Sequence, residues 1–317
     1  MNPLVSVIIP AYNVSTTLRE TLDCVCQQTY SEIEVIVVDD GSIDSTVDVV
    51  LNYPDARVSL TRISHRGACA ARNAGLAKAS GVYVQFLDAN DLMDCHKIEL
   101  QVRELQRSED SYAISYGPWW SFLNDAPLPR GASLTSGRNH SPSMEWLFIS
   151  MEKGFYLPPH CWLLSREVAC AAGDWDERLL QNQDGEYFSR VLEIASQVLW
   201  VPDAQSYYRK EHMGRINLQQ GNQCTRSLIL AADLIRDRML HYLGYNPARR
   251  RIISVLYLRI LYRIDSTDLE MIDQLWLRIH GLGLPDGRTR VGGMRFDLLK
   301  RHMGWELAFK MKQLVQN

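Results

Sequence analysis

Residues 33–46 read IEVIVVDDGSIDST, and this stretch decides which kind of fold the chain can adopt. Ile33 to Asp40 is β-branched almost throughout and ends on two carboxylates, followed by Gly41 and Ser42. A strand without polar alternation is covered on both faces, as happens in parallel sheets. Ligands of such sheets bind beyond the carboxyl ends of the strands. The Asp39-Asp40-Gly41-Ser42 turn is therefore a candidate for chemistry as well as for chain reversal.

The same pattern extends in both directions. Val5 to Pro10, VSVIIP, predicts a strand. Helix signals follow it: Ser15 and Thr16 can cap, Thr17 and Glu20 have capping-box spacing, and apolar residues recur to Val25. A helix is expected from about 44 to 51, a strand over 58–62, a helix near 67–79 and a strand over 82–87. Strands alternating with short helices imply right-handed βαβ units and a mainly parallel sheet. Three strand ends should then meet at one edge: Pro10-Ala11-Tyr12-Asn13, Asp39-Asp40-Gly41-Ser42 and Asp88-Ala89-Asn90-Asp91. Residues 110–205 are less regular and crowded with Trp119, Trp120, Trp146, Trp162 and Trp175. Beyond 210 the pattern is helical, over 225–243, 247–264, 269–279 and 296–315.

Composition narrows the class. The chain has 317 residues, 46% apolar and 22% charged, as in ordinary globular proteins. No apolar run approaches the roughly eighteen residues of a spanning helix. No basic region followed by an apolar run opens the sequence, and seven scattered cysteines suit a reducing compartment, so a cytoplasmic setting is expected. Cys24 and Cys26 form a C-x-C without companion ligands and are expected to be buried thiols. The net charge of −3 divides into −12 over residues 1–204 and +9 over 205–317. In the basic part, ARRRIISVLYLRILYRID sets Arg251, Arg259 and Arg263 on one expected helix face beside Ile252, Val255, Leu256, Ile260 and Leu261. Such a helix either packs with a solvated basic side or lies on an anionic membrane, here the inner face of the plasma membrane. No nucleic-acid partner is expected. PAYNVSTTLRE lacks the Gly-rich loop of sugar nucleotidyltransferases, and a G-x-G-x-x-G for dinucleotides is also missing.

Four blocks together resemble the family 2 glycosyltransferases, inverting enzymes of the GT-A fold: VSVIIPAYN, VIVVDDGSIDST, GACAARNAGLAKASGVYVQFLDAND and GDWDERLLQNQDGEYFSRVL. They stand in the family's order and spacing over about residues 3–210. The resemblance implies an α/β, Rossmann-like, mainly parallel sheet flanked by helices. On this reading 1–210 is the glycosyltransferase domain, with a nucleotide-binding half (1–110) and an acceptor half (111–210), and 211–317 is a helical C-terminal region.

The resemblance also implies roles. Pro10, Ala11 and Tyr12 would lie against the nucleotide of a UDP-sugar, with Asp40 at the uracil and Arg72 nearby. Asp39 is open between nucleotide ligand and helix cap. The family's D-x-D places its first aspartate, here Asp88 followed by Ala89, near the ribose and its second on a divalent cation, Mn²⁺ or Mg²⁺. In this chain the second position is Asn90, an amide without charge. Asp91 is the expected substitute, directly or through water, and His212 stands where many members complete the metal shell. The inverting base is expected at Asp184, with Gln183 in place of the usual preceding glutamate. Glu186 is the rival base or a first-turn acid, and Arg190 is its expected helical partner. Trp119, Trp120 and Trp162 are open between acceptor stacking and core, and Trp175 precedes the acidic motif near the expected acceptor. The implied activity is sugar transfer (hexosyltransferase type, EC 2.4) from a nucleotide-diphospho-sugar to a saccharide or lipid-linked acceptor in polysaccharide or glycolipid synthesis. The alternative is a nucleotide-sugar-binding protein with an altered metal site and impaired catalysis.

Overall fold

A computed structural model of the chain describes residues 2–123, 126–127, 137–210, 222–243, 246–264, 268–289 and 291–316. The strands are β1 Val5–Ala11, β2 Ile33–Asp39, β3 Val58–Arg62, β4 Tyr83–Phe86, β5 Leu92–Met93, β6 Ala113–Tyr116, β7 Trp119–Leu123, β8 Ala126–Pro127, β9 Trp162–Ser165, β10 Gln197–Trp200 and β11 Ser206–Arg209. The helices of the first half are α1 Leu18–Cys26, α2 Thr46–Leu51, α3 Ala68–Lys78, α4 Lys97–Ser108, α5 Met144–Lys153, α6 Arg166–Ala171 and α7 Gln183–Ile194. The remainder is helical: α8 Asn222–Leu243, α9 Pro247–Ile253, α10 Val255–Arg263, α11 Leu269–Leu282, α12 Met294–Met303 and α13 Trp305–Gln316. The chain divides into two units. The first holds Met1–Met144, Leu157–Arg178 and Arg190–Arg215; the second holds Glu145–Tyr156, Leu179–Ser189 and Ile216–Asn317.

The first unit is built on a seven-stranded sheet of order β10-β6-β9-β4-β1-β2-β3. Only β9 runs antiparallel to its neighbours β4 and β6; the other pairs are parallel. As its β-branched sequence demands, β2 is buried along almost its whole length. Ala11 of β1 is level with Asp39 of β2, and Ile8 is level with Phe86 of β4, so the three strand ends share one edge. A second sheet of order β5-β11-β7-β8 follows the β4 end. On one face of the main sheet, Leu18, Leu22 and Val25 of α1 and Ile98, Val102 and Leu105 of α4 join Val5, Val7 and Ile9 in a single apolar core. Helix α3 approaches β1 closely because it carries Gly75, where a Cβ would lie 2.3 Å from Ile8 Cγ2.

Three details depart from the sequence expectations. Thr17 is the N-cap of α1 but makes no side-chain capping bond. Instead its hydroxyl donates to the Ala89 carbonyl (3.1 Å), and Glu20 pairs with Arg209, so both capping-box side chains serve the β4 strand end. The helix expected over 247–264 is broken at Ser254, whose hydroxyl donates back to the Arg251 carbonyl (2.6 Å). Arg251 thus stands on α9 and Arg259 and Arg263 on α10, and Arg259 is half-buried, donating to the Met151 carbonyl. Arg251 and Arg263 are exposed. The helix expected over 296–315 is likewise divided at Gly304, whose φ of 82° ends α12.

Candidate active site

The polar edge of the first unit is tied together by its own loops. Asp40 donates its backbone N–H to the Ala11 carbonyl (2.8 Å), joining the β1 and β2 ends. Asn13, at φ 51°, accepts the Ile43 N–H (3.0 Å) on its side chain and donates its own N–H to Ser42 Oγ (2.9 Å). Against their partial burial, hydrogen bonds from Thr46 and Ser15 bring the Asp44 carboxyl down to about 2. Between the two loops Tyr12 is exposed and stacks on His65, with ring centroids 4.1 Å apart and planes 22° from parallel. Pro10 and Ala11 lie in the strand beneath it, Ala11 buried.

The two aspartates of the opening motif do different work. Asp39 is buried, accepts the Ser42 N–H (3.1 Å) and pairs with Arg62 (3.2 Å), so it closes its own turn. Asp40 is also buried. Its carboxylate accepts the N–H groups of Arg66 and Gly67 (2.8 Å each) and lies 3.0 Å from His65 Nδ1. That arrangement fixes the loop entering α3 and, through His65, the Tyr12 platform.

Arg72 projects from α3 and is buried. It donates to Asp88 Oδ1 (2.7 Å) and lies over the Trp175 ring, 4.5 Å from its centroid. Trp175 is held in turn by Asn73, whose side chain accepts the Trp175 N–H (2.7 Å) and donates to its carbonyl (3.0 Å). Trp175 and Trp162 are both buried, Trp175 against Phe86 at 5.1 Å, so these two aromatics fill core; Trp119 and Trp120 are half-buried.

Asp88 ends the β4 segment with its side chain 32% exposed. Ala89 beside it is buried. Asn90 is half-buried, and its carbonyl accepts from Arg209 Nε (2.8 Å). Asp91 turns inward. One oxygen accepts the Arg209 N–H (2.8 Å), and the other lies 3.1 Å from Nδ1 of fully buried His160. Burial pushes the Asp91 carboxyl above its ordinary range, and His160 opposes that shift. A carboxylate so enclosed anchors the strand end rather than reaching outward from it. His212, expected to complete a metal shell, lies outside the described residues. The side-chain oxygens of Asp88 and Asn90 are of the hard type that Mg²⁺ and Mn²⁺ take.

Behind β4 lies a buried polar group that the sequence did not single out. Lys97 Nζ donates to Gln85 and Gln101 (2.5 Å each), and the two amides reach the carbonyls of His160 and Cys161 (3.2 and 3.1 Å). Burial lowers the Lys97 pKa to about 7. His160, Arg209, His65 and Asn73 were equally invisible in the sequence, because each acquires its role only from partners far along the chain.

In the second unit, Asp184 stands in the first turn of α7, half-buried, and accepts a hydrogen bond from the Tyr156 hydroxyl. Gln183 bonds the Leu179 carbonyl (2.8 Å). Glu186 is buried and lies 3.8 Å from Arg238, the environment of a structural acid. Arg190, expected to pair with Glu186, belongs to the first unit and donates to the Ala172 carbonyl of that same unit.

Comparison with known proteins adds three findings. The family model described as glycosyl transferase family 2 matches residues 6–170. Two Escherichia coli proteins named UDP-Glc:alpha-D-GlcNAc-diphosphoundecaprenol beta-1,3-glucosyltransferase, WfgD and WfaP, are 38% and 36% identical over 110 and 113 residues. These matches cover 34% and 35% of this chain and 44% and 45% of the relatives, less than half of their length. Among solved structures, Staphylococcus aureus TarS 1-349 in complex with UDP-GlcNAc superposes with a TM-score of 0.72 over 98% of this chain and 92% of that one. Sequence identity there is 16%, so the likeness is one of fold.

Proposed function

The chain belongs to glycosyl transferase family 2 and is a glycosyltransferase, and from that premise we propose that it inverts the anomeric centre of a UDP-sugar while transferring the sugar to a lipid-linked acceptor. The observation that carries the reading is the joined edge of β1, β2 and β4. There a Tyr12–His65 stack, the Asp40 carboxylate and the Arg72–Asp88 pair stand together. The stack suits a flat base, and Asp40 has acceptor capacity for a ring N–H. Asp88 suits the ribose and Arg72 the neighbouring negative charge. The names of WfgD and WfaP, which specify UDP-Glc and a diphosphoundecaprenol-linked acceptor, support this choice of donor and acceptor classes.

Asp184 is the base of this reaction. The acceptor hydroxyl gives its proton to the Asp184 carboxylate and attacks the anomeric carbon from the face opposite the diphosphate. The new glycosidic bond forms as the bond to the diphosphate oxygen breaks, and UDP departs with that electron pair. The Tyr156 hydroxyl, donating to Asp184, orients the carboxylate. Asp88 and Asn90 would hold a divalent cation, whose chemistry there is to neutralise charge on the departing diphosphate. Asp91 positions that strand end from behind.

The test is UDP release from a panel of UDP-sugars, with Mn²⁺ and with chelator, in the parent and in Asp184→Asn. Loss of a positioned base should lower turnover by about 10²–10⁴-fold, with donor affinity nearly unchanged. Undiminished turnover in the variant removes the base assignment. UDP-sugar binding without release under every acceptor condition would favour the inert reading, which Asn90 and Gln183 keep in view.

A further inference from the structure

The last two helices carry outer faces that the reaction above does not use. On α12, Met294, Arg295, Leu298, Arg301 and His302 fall on about one third of the helix circumference at 3.6 residues per turn. All five are exposed, Met294 at 90% and Leu298 at 57%. The opposite side holds buried Phe296 and Lys300, with Phe296 packed on Phe309 of α13 at 4.7 Å. Helix α13 repeats the division: Trp305, Ala308 and Phe309 are buried, whereas Leu307 (49% exposed), Lys310 and Met311 (37%) face out.

A helix on a globular surface ordinarily turns polar residues to water. Here four large apolar side chains stand outward among cations. The acids of the two helices are already engaged, Asp297 with Lys300 and Glu306 with His280 (3.2 Å). Among the described residues, Arg295, Arg301 and Lys310 have no ion-pair partner. We propose that the outer faces of α12 and α13 dock on an anionic lipid bilayer. Met294, Leu298, Leu307 and Met311 enter the headgroup boundary, and Arg295, Arg301 and Lys310 meet the lipid phosphates. The +9 charge of residues 205–317 favours the same partner. The α9–α10 segment is less suited, because Arg259 is half-buried on Met151 and Arg249 is paired with Glu145 (2.5 Å). The proposal rests on the reading of a lipid-linked acceptor for its purpose, whereas the experiment below needs no substrate.

The full chain is sedimented with vesicles of phosphatidylcholine alone and of phosphatidylcholine with phosphatidylglycerol. Binding is expected only to the anionic vesicles and to fall with added salt. Arg295→Glu with Arg301→Glu should reduce partitioning by at least about thirtyfold, since each cation near an anionic surface contributes about fivefold. Met294→Ser with Leu298→Ser should reduce it as well. Circular dichroism and UDP affinity in the same variants distinguish a lost surface from a lost fold and from failure of the proposed reaction. Equal binding to neutral vesicles, or anionic binding unchanged in both double variants, overturns the proposal. So does a dimer that dissociates in Met294→Ser with Leu298→Ser while vesicle binding is absent, since the face would then belong to a second copy.

Discussion

Asn90 is the residue on which the strength of the proposed cation site turns. Its side-chain oxygen can ligate a hard cation but brings no charge, and the adjacent carboxylate cannot compensate because Asp91 is committed to Arg209 and His160. Replacing Asn90 by Asp adds a charge at the exposed strand end. The Mn²⁺ concentration for half-maximal UDP release should then fall by about tenfold, on the order of 1.4 kcal/mol of binding. No change in metal dependence would mean that position 90 does not touch the ion. Lys97 makes a separate prediction about stability. Its folded pKa is lowered to about 7 by burial, whereas an unfolded lysine titrates near about 10.4. Between those values the unfolded chain binds a proton that the folded chain lacks, so stability rises as pH climbs from about 7 towards about 10. Below that window the charged lysine is buried in full and the slope from this group vanishes. Lys97→Met should therefore gain on the parent in urea midpoint most at about pH 6 and least at about pH 9. A difference independent of pH would show that Lys97 is neutral, or equally charged, across the range.

At the scale of elements, the junction of α3 with β1 depends on one missing methyl. A Cβ at Gly75 would sit 2.3 Å from Cγ2 of Ile8, a fully buried residue of β1. Gly75→Ala should cost about 1–3 kcal/mol through overpacking, despite the gain in helix propensity. An unchanged denaturation midpoint would show that Ile8 can move aside. The βαβ elements were legible because burial on both faces forces β-branched runs and because glycine and polar residues punctuate them. The interruption between α9 and α10 was not. Ser254 carries no strong breaking propensity, and its break comes from a hydroxyl that bonds the carbonyl three residues back. Thr17 and Glu20 misled for a related reason. Local spacing offered them a capping box, but the Ala89 carbonyl and Arg209 took them.

For the whole molecule, the order of motifs along the chain was enough to announce a mainly parallel sheet with its polar ends on one edge. That much follows from local rules: strand burial, alternation with helices and the fixed hand of the crossover. The sequence also announced the charge division between an acidic body and a basic helical end. Which carboxylate faces outward was decided only by tertiary structure. Asp88, Asn90 and Asp91 differ little as neighbours in a row, yet Asp91 is turned inward by a backbone N–H 118 positions away and by His160. Glu20 meets Arg209 across 189 positions. Spacing along a chain governs contacts within a turn or a strand, whereas burial of a charge is settled by whichever distant groups the folded sheet brings within hydrogen-bond reach.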